Sequence, residues 1–173
     1  VCMFSSLHTD ATLILMEELE KAGVTGYVGK VNMDRNGSPE LQETTEQSKR
    51  ETLRWLDACG RFQTVKPILT PRFTPSCTDE LMSWLGKLAA ERGLYVQSHL
   101  SENKGEIAWV KELCPDCKQY WESYDRAGLW KDHTVMAHCV HSDEREREAM
   151  REHGVVTAHC AGSNINICSG VAP

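Results

Sequence analysis

The sequence predicts an α/β fold of parallel strands joined by crossover helices, and three observations carry that prediction. Short apolar or β-branched runs alternate along the chain with longer amphipathic stretches. Residues that start and stop helices sit at the ends of those stretches. The composition is globular, with 40% apolar and 25% charged residues over 173 positions. That length suits a single domain able to bury its own core.

The strand-like runs are 1–6 (VCMFSS), 27–31 (YVGKV), 64–70 (TVKPILT), 94–99 (LYVQSH), 134–138 (TVMAH) and 155–159 (VVTAH). Helical periods follow near 10–22, 40–58, 78–92, 103–113 with 118–127, and 143–153. Thr78-Asp79-Glu80 reads as a helix start and Gly93 as a stop; Gly23 and Gly154 end their helices in the same way. In the 40–58 stretch, Leu41, Thr45, Ser48, Thr52, Trp55 and Leu56 fall near one side and predict its core face. The charge-rich 143–153 stretch predicts a solvated helix with one thin apolar stripe. The chain holds six βα-like units, too few for a closed eight-stranded barrel of typically ~250 residues. An open doubly wound sheet and a truncated barrel both fit that count.

Composition excludes several function classes. The net charge is −6, with 19 basic residues scattered among 25 acidic ones and no basic stripe, so nucleic acid and anionic membrane are not expected partners. No apolar run approaches the roughly 20 residues that span a bilayer, and no basic flank precedes an apolar stretch at the N-terminus. Eight cysteines are spread through the chain, which predicts free thiols and a cytoplasmic location, not a disulfide framework. The chain begins at Val1 and stops at Pro173, which reads as a segment of a longer sequence.

Chemistry concentrates at the strand ends. His99, His138 and His159 close three of the apolar runs. In a parallel βα array all strand C-termini emerge on one face, where such folds place their active sites. A single strand-end histidine is usually a polar residue near a surface. Three at equivalent positions suggest a zinc site, although spacing does not say which three ligands it uses. Glu102, three residues after His99, is placed to take a proton from an attacking water and return it to a leaving group. Cys114-Pro115-Asp116-Cys117 has CxxC spacing, but no second CxxC completes a zinc site. The HxE and PCxxC pair of cytidine-type deaminases is absent, as are GxGxxG, P-loop and GxSxG motifs. His8, His133, His141 and His153 read as surface residues, His141 lying just beyond His138 on the same rim.

The segments VGKVNMDRN (28–36), ETTEQSKRET (43–52), KPILTPRF (66–73), QSHLSEN (97–103) and VMAHCVH (135–141) occur in an order that resembles the guanine deaminases of the zinc-dependent amidohydrolase superfamily. AHCAGSN (158–164) is a further, imperfect match, with Ala161 where that family carries Pro. The resemblance implies a partial (β/α)8 barrel of the TIM type, about strands two to seven, with 1–173 a single, truncated segment of it. It implies Zn2+ as cofactor, His99 as a zinc ligand, Glu102 as proton shuttle, and His138 as a catalytic residue holding the water or the substrate, with metal ligation by His138 possible. It lowers His159 from ligand to scaffold. The remaining ligands, an HxH pair and an Asp on the first and last strands, have no counterpart here.

The reaction so implied is hydrolysis of guanine to xanthine and ammonia, in purine metabolism. His99 and Glu102 would line the substrate site together with Arg72 and Phe73. Arg72 donates only and matches the O6 and N7 acceptors of guanine, while adenine offers a donor at its six-position. Phe73 is suited to stack on the purine. Spacing alone would make Arg72 a surface ion pair and Phe73 a core side chain. The family's tendency to dimerise makes a homodimer possible. Two other readings remain open: an aminohydrolase for another purine or a triazine, and a non-catalytic barrel remnant. With ligands missing, the isolated chain is expected to bind zinc weakly and to show little activity.

Overall fold

The structure, a computed structural model, describes residues 1–173. β1 (Cys2–Phe4) leads into α1 (Thr9–Lys21), then β2 (Gly26–Gly29) and β3 (Val31–Asn32). After α2 (Thr45–Cys59) come β4 (Val65–Pro67) and β5 (Thr70–Pro71), followed by α3 (Asp79–Arg92) and β6 (Val96–Leu100). The chain continues through α4 (Lys104–Leu113), α5 (Glu122–Asp125), β7 (Thr134–His138), α6 (Glu144–His153), β8 (Val156–Ala158) and α7 (Ala161–Asn166).

Every strand pair is parallel: β1 with β2, β2 with β4, β3 with β5, β6 with β7, and β7 with β8. Leu69 joins the two halves, its N–H donating to the Tyr95 carbonyl and its carbonyl accepting from Gln97 N–H, both at 2.9 Å. The strands therefore lie side by side in chain order, with β2–β3 and β4–β5 each filling one place. Helices occupy the crossovers, as parallel pairing requires. All strand C-termini consequently open on one face.

Local chemistry explains the helix boundaries. Thr44 and Gln47 form a reciprocal capping box at the start of α2, and Asn103 and Glu106 form another at α4. Thr78 caps α3 by accepting from Leu81 N–H, and Gly93 ends it in the left-handed region at φ 62°. Asp143 and Gly154 (φ 70°) do the same for α6. The core lies between strands and helices, with Trp55, Leu69, Leu85, Leu100 and Met136 fully buried. Lys30 is also fully buried, its ammonium 2.8 Å from Glu43.

The structure revises three readings of the sequence. The 40–58 stretch splits into a 3-10 turn at Pro39–Leu41 and α2. Ser48, Thr52, Trp55 and Leu56 are buried as expected, but Leu41 stands outside the helix and is 55% exposed. The 118–127 stretch contains only the short α5, and α7 forms at 161–166, where the sequence shows no helical period. All eight cysteines are free. Cys114 and Cys117 bound a turn, Cys117 N–H donating to the Cys114 carbonyl at 3.0 Å. No helix is long and apolar enough to cross a membrane.

Candidate active site

Four strand ends build the site. Arg72 and Phe73 follow β5, His99 is the penultimate residue of β6, and His138 is the last residue of β7. The His99 and His138 rings stack with centroids 5.2 Å apart. Phe4, at the end of β1, packs on His99 at 4.4 Å, and Phe73 meets it edge-on at 6.5 Å. A cleft of about 460 Å³ opens beside this cluster, with Phe4, Val31, Met33, Arg72 and His99 in its wall. Phe73 and His138 touch the His99 ring without lining that cleft.

The His99 ring is fixed by backbone. Its Nδ1 lies 2.6 Å from the Arg72 carbonyl, which can only accept, so Nδ1 carries the proton and Nε2 keeps its lone pair. Burial pushes the His99 pKa down to about 4, overcoming the opposing pull of that carbonyl. The ring is therefore neutral near pH 7, as a metal ligand must be. Tyr124, fully buried, donates its hydroxyl to the His99 carbonyl at 2.7 Å and sits 3.0 Å from Ser98 Oγ.

Glu102 stands on the loop between β6 and α4, with Oε1 3.2 Å from His138 Nδ1. That loop is held from both sides by buried carboxylates. Glu106 Oε2 accepts from Glu102 N–H at 2.9 Å and from Asn103 N–H at 3.3 Å, while its Oε1 accepts from Tyr120 at 2.7 Å. Glu146 Oε1 accepts from Ser101 Oγ at 2.7 Å and Ser142 Oγ at 2.6 Å. Burial raises both acids above the usual carboxylate range.

Backbone strain collects here as well. Ser101, His138 and Cys139 adopt left-handed φ values of 48°, 76° and 51°. Each such residue costs on the order of 1–3 kcal/mol and persists where surrounding contacts hold it. His141 N–H to Ser101 carbonyl and Cys139 N–H to Leu100 carbonyl, both 2.9 Å, are two of those contacts. The His138 ring is 7% exposed and places Nδ1 2.7 Å from Asn164 Oδ1.

The structure thus unites His99, His138, Glu102 and Phe73, with Arg72 at the rim. Arg72 is exposed and lays its guanidinium 5.0 Å above the Phe73 ring. Phe73 also meets Trp109 edge-on at 6.2 Å. His159 does not join the pair: it is exposed and makes no ring contact with His99 or His138. The convergence of three strand-end imidazoles is corrected to two, because β8 is short and ends at Ala158, before His159. No three His, Cys, Asp or Glu side chains gather as a metal-holding group. The donors present fit part of a zinc site. His99 offers a neutral imidazole with a free Nε2, His138 is a candidate for a second nitrogen, and the Glu102 carboxylate lies beside them.

Tyr124, Glu106, Glu146 and Asn164 were not singled out from the sequence as site residues. The Asn103–Glu106 capping pattern was a readable local signal. Asn164 closes the AHCAGSN match, but that motif does not show its long-range reach to His138.

Comparison with known proteins places this geometry. The amidohydrolase family model matches residues 1–173. Guanine deaminase of Mus musculus is 47% identical over 173 residues, covering 98% of this chain and 38% of that protein. The crystal structure of guanine deaminase from C. acetobutylicum with bound guanine superposes with a TM-score of 0.96 at 45% identity, covering all of this chain and 42% of that one. E. coli guanine deaminase superposes with a TM-score of 0.94 at 34% identity, covering 99% of this chain and 40% of that one. The chain spans about two fifths of the length of these relatives. A family model that matches from the first residue to the last, over a mixed α/β fold of the same shape, means that this chain belongs to the amidohydrolase family.

Proposed function

We propose that these residues form the strand-end catalytic face of a guanine deaminase, and that the strands are an open arc of a (β/α)8 barrel. The observation that carries the proposal is the His99–His138–Glu102 cluster at adjacent strand ends. It lies in a chain 45% identical to a guanine deaminase whose structure holds guanine. Strands paired in chain order with helical crossovers support the barrel reading.

Guanine plus water gives xanthine plus ammonia. Water adds at the amine-bearing carbon, and the carbon–nitrogen bond to the amine breaks. Glu102 accepts one proton of the attacking water and delivers it to the purine ring, then carries the second, from the added hydroxyl, to the departing amine. Its backbone is pinned by Glu106, and its carboxylate is oriented by His138. His138 also helps hold the attacking water or the substrate. Arg72, free at the cleft rim, offers donors to O6 and N7 of the base, which discriminates against adenine. Phe73 braces that guanidinium. His99 Nε2, with His138 as a possible second donor, would hold zinc, which when bound acidifies water for attack near neutral pH.

The test is Glu102→Gln in the complete gene product loaded with zinc. Removing a general base of this kind should lower kcat by about 10²–10⁴ with little change in KM. Guanine turnover by E102Q within twofold of wild type would overturn the assignment of Glu102.

A further inference from the structure

We propose that Asn164 is a positioning residue for His138, fixing its ring as the Nδ1–H tautomer through Oδ1. The proposal rests on the guanine deaminase reading only for its effect on turnover. Its structural content stands on hydrogen-bond chemistry.

Two acceptors converge on His138 Nδ1: Asn164 Oδ1 at 2.7 Å and Glu102 Oε1 at 3.2 Å. The 3.2 Å approach of Glu102 Oε1 favours hydrogen on that nitrogen without making a hydrogen bond, and the short contact to Asn164 Oδ1 is the one that holds it there. With the proton at Nδ1, Asn164 must present its oxygen there, since the flipped amide would set donor against donor. Asn164 is 1% exposed, and its Nδ2 has no partner. Of the two ends of this buried amide, only the acceptor is in use, and the atom it serves is His138 Nδ1.

The fold holds both partners in place. Asn164 N–H donates to the Cys160 carbonyl at 2.9 Å, and its carbonyl accepts from Ser169 N–H at 2.8 Å, which anchors α7 on both sides of the residue. His138 is in the left-handed region, so its ring direction is imposed by surroundings, not by strand geometry. The consequence is chemical. His138 keeps its lone pair at Nε2, the only ring atom left to take a hydrogen bond, a proton or a metal. Glu102 stands 3.2 Å from Nδ1 and does not compete for Nε2. A motif read as scaffold at 158–164 thereby supplies an orienting group to the site.

The experiment uses the complete gene product and two variants. Asn164→Leu removes the acceptor at similar volume, and Asn164→Asp keeps one. Histidine-labelled ¹⁵N NMR of the zinc-free protein should show His138 protonated at Nδ1 in wild type and N164D, and shifted toward Nε2–H in N164L. In the zinc-loaded protein, N164L should lower kcat by about ten- to a hundredfold. KM should stay near wild type, and N164D should recover most of the loss. A merely space-filling role predicts the reverse order, because a buried carboxylate is the worse filler. Wild-type His138 protonated at Nε2, an unshifted N164L, or N164D as impaired as N164L would each overturn the proposal. If N164L does not fold, the wild-type and N164D spectra still decide. If the wild-type protein leaves guanine untouched, the functional reading fails while the NMR result still judges Asn164.

Discussion

Glu146 shows how a single residue ties function to stability in this molecule. Its carboxyl is buried beneath the loop that carries Glu102 and accepts from two hydroxyls. Burial raises its pKa above the ordinary 4.5. A folded-state pKa above the unfolded one favours the neutral acid, so the stabilisation is full below pH 4.5 and is lost as pH rises through the folded value. Glu146→Gln mimics the neutral form and should remove this dependence. Urea midpoints at pH 5 and pH 7 should therefore lie closer together in E146Q than in wild type, and equal pH slopes would show that burial does not act on this group. At this scale the sequence was legible where chemistry is local: His99, Glu102 and His138 stand out because a βα rhythm sets them at strand ends. Glu146 and Asn164 act across 45 and 26 residues, and no short motif records such distances.

Elements were legible where caps and periods agree. Thr78 and Gly93 bound α3 as their residue types predict, while Leu41 was misassigned because the chain enters α2 through a Pro-led turn that interrupts the period. α7 went unread because Ala161-Gly162-Ser163-Asn164 is short and carries no apolar stripe. α3 also offers a test of packing. Gly86 lies within this helix against the Ala127 carbonyl, and a Cβ there would overlap that backbone oxygen. Alanine in a helix interior ordinarily gains about 1 kcal/mol over glycine. Here the backbone of the segment after α5 must move, and over-packing of this kind costs roughly 1–3 kcal/mol. Gly86→Ala should therefore lower the urea midpoint, and a raised midpoint would mean that α3 and α5 can separate freely.

The molecule as a whole reads as parallel strands whose C-terminal ends share one reactive face. The α/β class and the parallel pairing followed from alternation alone, since parallel neighbours need helical crossovers. The choice between an open sheet and a barrel arc did not, because both use the same local pattern; the resemblance to guanine deaminases settled the expectation. Exposed apolar side chains gather late in the chain, at Val156, Ile165, Ile167 and Val171. Cys168, in the same stretch, is also exposed. The most direct measurement of the central claim is ammonia release by the complete, zinc-loaded gene product from guanine, adenine and a triazine under identical conditions. The account predicts rapid release from guanine and little from the other two, because Arg72 presents donors to acceptors that guanine alone aligns. Preference for adenine or the triazine, or no release from any of them, would contradict it.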